Sequence, residues 1–190
     1  GTVIRQQGEK LQFLLDSLVK ISRLENGIIQ TVPQKGELRE LACQVKGLME
    51  QKAGEKQISL EVKPGKEKTY AWFDWKWTRE ALMNLVDNAV KYTPAGGKVT
   101  LEVVSYSLFS RIDVRDTGIG IEEEELPEIF HRFYRSRGVL SEEGVGLGLY
   151  LAREIVRSQG GYIKVSSKKG EGSVFSVFLP SEKRENVSRL

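Results

Sequence analysis

The chain has 190 residues, 39% of them hydrophobic, with 29 basic against 26 acidic side chains and a net charge of +3. That length supports one good core, or one domain with an appendage, and the near balance of charge leaves no nucleic-acid footprint. The single cysteine, Cys43, cannot close an internal disulfide, which fits a reducing compartment, and no run approaches the ~18 apolar residues of a membrane span.

The pattern is helical from Val3 to Glu25. Leu11, Leu14, Leu18 and Ile21 recur at spacings of three and four, a short seam that one helix cannot bury alone. Its partner is either the rest of this chain or a second copy. Asn26-Gly27 reads as the helix stop. A strand is expected at Ile28 to Val32, ended by Pro33, then a helix from Glu37 to Lys52. Two short strands follow, Ile58 to Val62 and Thr69 to Phe73. Asp74 is the expected N-cap of a helix running to about Tyr92. Val99 to Ser105 and Phe109 to Arg115 read as a hairpin, and the glycine-bearing loop DTGIGI comes next. A helix from about Gly146 to Ser158 and a final pair of strands, Tyr162 to Ser166 and Val174 to Leu179, complete the order. No repeat or low-complexity tract interrupts it. This order predicts an α+β chain, a two-layer sandwich with helices on one face of a mixed or antiparallel sheet.

Several chemistries are excluded. There is no GxxxxGK[ST], no HExxH and no paired CxxC. GVGLGL at Gly144 to Leu149 fails the dinucleotide fingerprint, because Leu149 stands where the third glycine belongs. A serine-histidine-aspartate site is disfavoured, since His131 is the only histidine.

Three segments carry the remaining chemistry. In NLVDNAVKYTP, Asn84 and Asn88 lie four apart on one helix face. Asparagine is a mediocre helix former, but its carbonyl oxygen is a suitable hard ligand for Mg²⁺. Lys91 lies on an adjacent part of that face and can reach a phosphate, and Tyr92 can lay its ring against a base. In DTGIGI, the Asp116 carboxylate only accepts hydrogen bonds. It can therefore take the N6 amino group of adenine and repels the O6 of guanine, while Gly118 and Gly120 let the backbone approach a flat ring. Gly144, Gly146 and Gly148 open onto a helix whose first amides suit phosphate. Each piece taken singly also reads as an ordinary turn or a half-buried helix.

Together, and in this order, the segments resemble the catalytic ATP-binding domain of bacterial sensor histidine kinases, in the superfamily shared with gyrase, the heat-shock chaperones and the mismatch-repair ATPases. NLVDNAVKYTP resembles the N box, DTGIGI the G1 box, IFHRFYR at Ile129 to Arg135 the F box, GVGLGLYLAREIV the G2 box and GEGSVFSVFLP the closing hairpin. LLDSLVKISRLENG resembles the end of the second dimerisation-domain helix. The resemblance implies residues 1–27 as that helix, 28–182 as the catalytic domain and 183–190 as a tail. It implies ATP and Mg²⁺ as cofactors, with Asn88 as the metal ligand and Asn84 supporting the phosphates or metal. Lys91 and Arg135 would be phosphate contacts, and these four would carry the catalysis. Tyr92, Asp116, Gly118, Gly120, Ile121 and Ser173 would shape the adenine pocket. Gly144, Gly146, Leu147 and Gly148 would gather the triphosphate. Phe130 and Phe133 would anchor a lid over Ser136 to Glu143.

Hydrolysing relatives would carry a glutamate at the position of Asn84. An amide cannot activate water, so the resemblance points to a kinase. Glu80, one turn earlier, reads as an ordinary solvent-facing charge. No H box with a following proline is present, and His131 reads as a surface residue, so the phosphoacceptor histidine would be supplied by another domain. The implied partners are that domain, a response regulator receiver domain and a second copy in the full-length parent, with no nucleic acid. The implied location is cytoplasmic, any membrane anchor lying in the parent. The alternative is a nucleotide-sensing interaction module without kinase activity.

Overall fold

A computed structural model describes residues 1–134 and 146–184. The elements in order are α1 (Thr2–Glu25), β1 (Gln34–Glu37), α2 (Leu38–Glu55), β2 (Ser59–Val62), β3 (Tyr70–Phe73), α3 (Trp75–Lys91), β4 (Lys98–Ser105), β5 (Phe109–Asp116), a 3-10 turn at Glu123–Glu128, α4 (Gly148–Ser158), β6 (Tyr162–Lys168) and β7 (Gly172–Pro180). The main sheet has five strands in the order β2-β4-β5-β7-β6. It is mixed: β2 runs parallel to β4, and the other pairs are antiparallel.

Alternation decides which face is covered. Val99 and Leu101 of β4, Ile112 and Val114 of β5, and Phe175, Val177 and Leu179 of β7 are all buried. They meet Leu41 and Val45 of α2, Leu82 and Leu85 of α3, and Leu151 and Ile155 of α4 in one core. The expected sandwich, helices against one face of the sheet, is what forms.

Two caps place the helices that matter. The Asp74 carboxylate accepts from Trp77 N at 3.0 Å and starts α3 where expected. Glu37 caps α2, accepting from Arg39 N at 3.2 Å and Glu40 N at 2.7 Å, and takes Thr69 N as well.

One strand is displaced from its expected position. Ile28 to Val32 forms no strand, and Ile28 and Val32 stay exposed. The strand is instead QKGE, paired with β3 so that Gly36 faces Ala71. A Cβ at Gly36 would stand 2.6 Å from Cζ of Phe73, so the bare backbone there admits the Phe73 ring. Tertiary pairing outweighs the β-propensity of the apolar run.

The α1 seam is divided. Ile21 is buried, and Leu14, Leu18 and Leu24 pack against the core, whereas Leu11 and Leu15 remain exposed. The C-terminal half of the helix therefore docks on its own chain. Among the described residues no helix is long and apolar enough to cross a membrane.

Candidate functional site

A single cleft gathers Asn84, Asn88, Lys91 and Tyr92 from α3, Asp116, Gly120 and Ile121 from the loop after β5, Gly146 and Gly148 at the start of α4, and Ser173 on β7. The order of strands explains the meeting. Asp116 pairs directly with Ser173 across β5 and β7, and α3 packs on β5 and α4.

One end of the cleft is built around Asp116, which is buried. Its Oδ1 accepts from Gly118 N at 2.9 Å and from Ser173 N at 3.2 Å. Oδ2 has no donor among the described residues and is left to a ligand. Burial raises the Asp116 carboxyl above the usual aspartate range, and the two amides oppose that rise. The loop is held close to the end of α3 by Ile119 N, which donates to Tyr92 O at 3.1 Å. Gly120 has φ +72°, and a Cβ there would stand 2.1 Å from Lys168 O. Only glycine lets this loop lie against the β6–β7 hairpin.

The other end combines amides and cations. Among the described residues no side chain caps the start of α4 at Leu147, which leaves the first amides of that helix suited to an anion. Asn84 faces them, its Cγ 3.9 Å from a Cβ built at Gly148. The Asn84 Nδ2 is buried without a hydrogen-bond partner among the described residues; a phosphate oxygen would satisfy it. Lys91 Nζ lies 3.1 Å from Asp87 Oδ2, and Lys52 of α2 pairs with the other oxygen of the same carboxylate. Burial acts to raise the Asp87 carboxyl, but Lys91 and Lys52 outweigh it and hold the group below the ordinary range. The Asn88 amide makes no hydrogen bond to the described residues. No cluster of three or more His, Cys, Asp or Glu among the described residues could cage a metal. The Asn88 carbonyl is an oxygen donor of the hard type that Mg²⁺ accepts beside phosphates and water.

Some expected residues lie elsewhere. The Leu147 side chain is in the core, and the residue is outside the cleft lining. Gly118 stands behind Asp116, where a Cβ would meet Tyr92 O at 2.4 Å. Phe130 packs edge-on against Phe175, centroids 6.4 Å apart, and lies outside the lining. Phe133 is 56% exposed, and the lid it is expected to anchor lies outside the described residues. The helix starts at Gly148 rather than Gly146, because Gly146 has φ +71°. Arg135, Gly144 and the expected lid, 136–143, lie outside the described residues. Glu80 is not simply solvated; it pairs with Lys20 of α1. His131 is exposed, as expected.

The structure adds residues that motif reading misses. Asp87 and Tyr134 line the cleft, as does Phe13 of α1. Asp87 was detectable from its four-residue spacing to Lys91, whereas Phe13 gave no local signal. At the other end of α1, Glu25 pairs with Arg132 and accepts from the Tyr150 hydroxyl at 2.7 Å. This exposed cluster joins α1 to both flanks of the cleft.

A model of the histidine kinase-, DNA gyrase B- and HSP90-like ATPase family matches residues 73–183. The circadian input-output histidine kinase CikA of Synechococcus elongatus is 33% identical over 94% of this chain and 24% of its own length. The sensor histidine kinase RppB of Synechocystis is 35% identical over 93% of this chain and 39% of its own length. The chain thus spans a quarter to two-fifths of these relatives. Among solved structures, full-length ShkA in complex with AMPPNP superposes with a TM-score of 0.82 at 28% identity, covering 94% of this chain and 37% of ShkA. The catalytic domain of the histidine kinase ThkA gives 0.69 at 28% identity, over 79% of this chain and 96% of that domain. The chain therefore belongs to the histidine kinase-, DNA gyrase B- and HSP90-like ATPase family and is homologous to the catalytic domains of histidine kinases.

Proposed function

We propose that this chain binds Mg-ATP in the cleft and donates the γ-phosphoryl group to a histidine on a phosphoacceptor domain. The observation that carries the reading is the pairing of two ends in one cleft. At one end Asp116 keeps an oxygen for the adenine amino group. At the other, Asn84 and the first amides of α4, which no side chain among the described residues caps, face the place a phosphate would take. ShkA, a structural neighbour, holds the ATP analogue AMPPNP, which supports the same ligand class here.

Asn88 would hold Mg²⁺, which when bound neutralises charge on the phosphate oxygens. The chain's own residues bind and orient. Lys91 moves from Asp87 toward phosphate while Lys52 keeps the Asp87 carboxylate paired. Asn84 donates to a phosphate oxygen, and having no basic atom it leaves water unactivated. The Pγ–O bond to the β-phosphate then breaks as a histidine nitrogen forms a P–N bond. ADP departs with the electrons of the broken P–O bond, and the imidazole N–H proton passes to water. Positioning and charge compensation supply most of the acceleration. Downstream, the partner would be a response regulator receiver domain; ThkA is seen in complex with the response regulator protein TrrA.

The test is transfer in trans. The chain is mixed with an isolated phosphoacceptor domain of this kinase class and γ-labelled ATP. Acid-labile, base-stable label on the acceptor is expected. Intact nucleotide binding with no label would favour a nucleotide-sensing module instead.

A further inference from the structure

Behind the base end of the cleft lies Ser167, half-buried on β6 and outside the lining itself. Its Oγ has three protein contacts. Ile121 N lies at 2.8 Å, Gly172 O at 3.1 Å and Ser173 Oγ at 2.7 Å. A serine hydroxyl offers one proton and two lone pairs. Two of the three contacts have a fixed direction. The Ile121 amide can only donate, so it occupies a lone pair of Ser167. The Gly172 carbonyl can only accept, so it takes the Ser167 proton. The one arrangement that makes all three contacts hydrogen bonds at once has Ser173 donate its proton to the remaining lone pair of Ser167.

This arrangement leaves Ser173 without a proton to offer the cleft. Its oxygen faces a ligand as an acceptor, beside the Asp116 carboxylate whose Oδ1 holds Ser173 N at 3.2 Å. Both side chains line the base end. We infer that Ser167 is a positioning residue for base specificity. By consuming the Ser173 proton it makes this end of the cleft acceptor-only, which favours the N6 amino group of adenine and disfavours the O6 of guanine. Ser167 also fastens the loop after β5 to the β6–β7 hairpin through Ile121, so the same hydroxyl fixes both walls of the pocket. The inference rests on the nucleotide reading proposed above.

The test is the ratio of ATP to GTP affinity, measured by calorimetry on the full chain and on variants. Ser167→Ala frees the Ser173 proton to donate to O6. A single neutral hydrogen bond changes affinity by up to about tenfold, and the ratio should fall by about that factor, chiefly through tighter GTP. Ser167→Thr keeps the hydroxyl and should restore the ratio. In a Ser173→Ala background, where there is no proton to release, Ser167→Ala should leave the ratio unchanged. A merely structural role would weaken both nucleotides alike and would persist in that background. If the unaltered chain prefers ATP and Ser167→Ala keeps the full preference, this inference is overturned while the nucleotide reading stands. If the unaltered, folded chain binds neither nucleotide, both fall.

Discussion

Replacing Asp116 by asparagine is expected to reduce ATP affinity by about 100-fold or more while leaving the empty protein at least as stable. The cause is geometric. Two backbone donors, Gly118 N and Ser173 N, converge on Oδ1. The asparagine carbonyl must stay there to satisfy them, so the amide NH₂ is forced into the place of Oδ2. A donor then faces the adenine amino group. Loss of a charge-assisted hydrogen bond, about 1.5–3 kcal/mol, adds to the cost of two opposed donors, about 1–3 kcal/mol. Nucleotides bearing O6, such as ITP, should lose much less or gain.

Stability moves the other way. The folded-state pKa of Asp116 is raised by burial, with its two backbone hydrogen bonds opposing. Its contribution to stability is therefore present below the ordinary aspartate pKa and lost as pH rises through the raised value. At neutral pH the buried charge is a cost that asparagine removes. A rise in Tm of ~2–4 °C near pH 7, equivalent to about 1 kcal/mol, should shrink as the pH is lowered through that window. Unchanged ATP binding, or a Tm that falls at pH 7, would contradict the role assigned to Asp116.

The second large effect concerns Asn88. With Asn88→Ala, the gain in ATP affinity that Mg²⁺ provides should shrink by about 10–100-fold, the range seen when a metal site's supporting groups are lost. Binding measured in excess chelator should change little. The fold should not suffer, because the Asn88 amide makes no hydrogen bond to the described residues and alanine is the better helix former, by up to about 0.7 kcal/mol. Equal losses with and without metal would remove the metal role. A drop in Tm would show that Asn88 serves the fold instead.

How much of this was legible in the sequence depends on the range over which each signal acts. The helix bearing Asn84, Asn88 and Lys91 was readable because its cap, Asp74, and its apolar face are local. The hairpin ending in Asp116 was readable through alternation. The contact between Asp116 and Ser173 was not, because it depends on β5 and β7 becoming neighbours across 57 residues of chain. Ser167 escaped notice for the same reason: serine in a strand carries no mark of what its hydroxyl will meet. β1 lies five to six residues beyond the expected Ile28 to Val32 because Gln34 to Glu37 has no intrinsic β character. Its strand exists only because β3 supplies an edge and Gly36 leaves room for Phe73. The α1 seam left two partners open, and the structure divides them: Ile21 is buried while Leu11 and Leu15 stay in solvent.

The central claim is that one cleft takes adenine at Asp116 and phosphates between α3 and α4. Calorimetric titration of Mg-ATP into the folded chain, with Mg-GTP titrated in parallel, tests it most directly. The account predicts saturable heat at one site per chain for Mg-ATP and far weaker binding of Mg-GTP. No heat with Mg-ATP from a protein whose melting curve shows it folded, or equal binding of the two nucleotides, would contradict it.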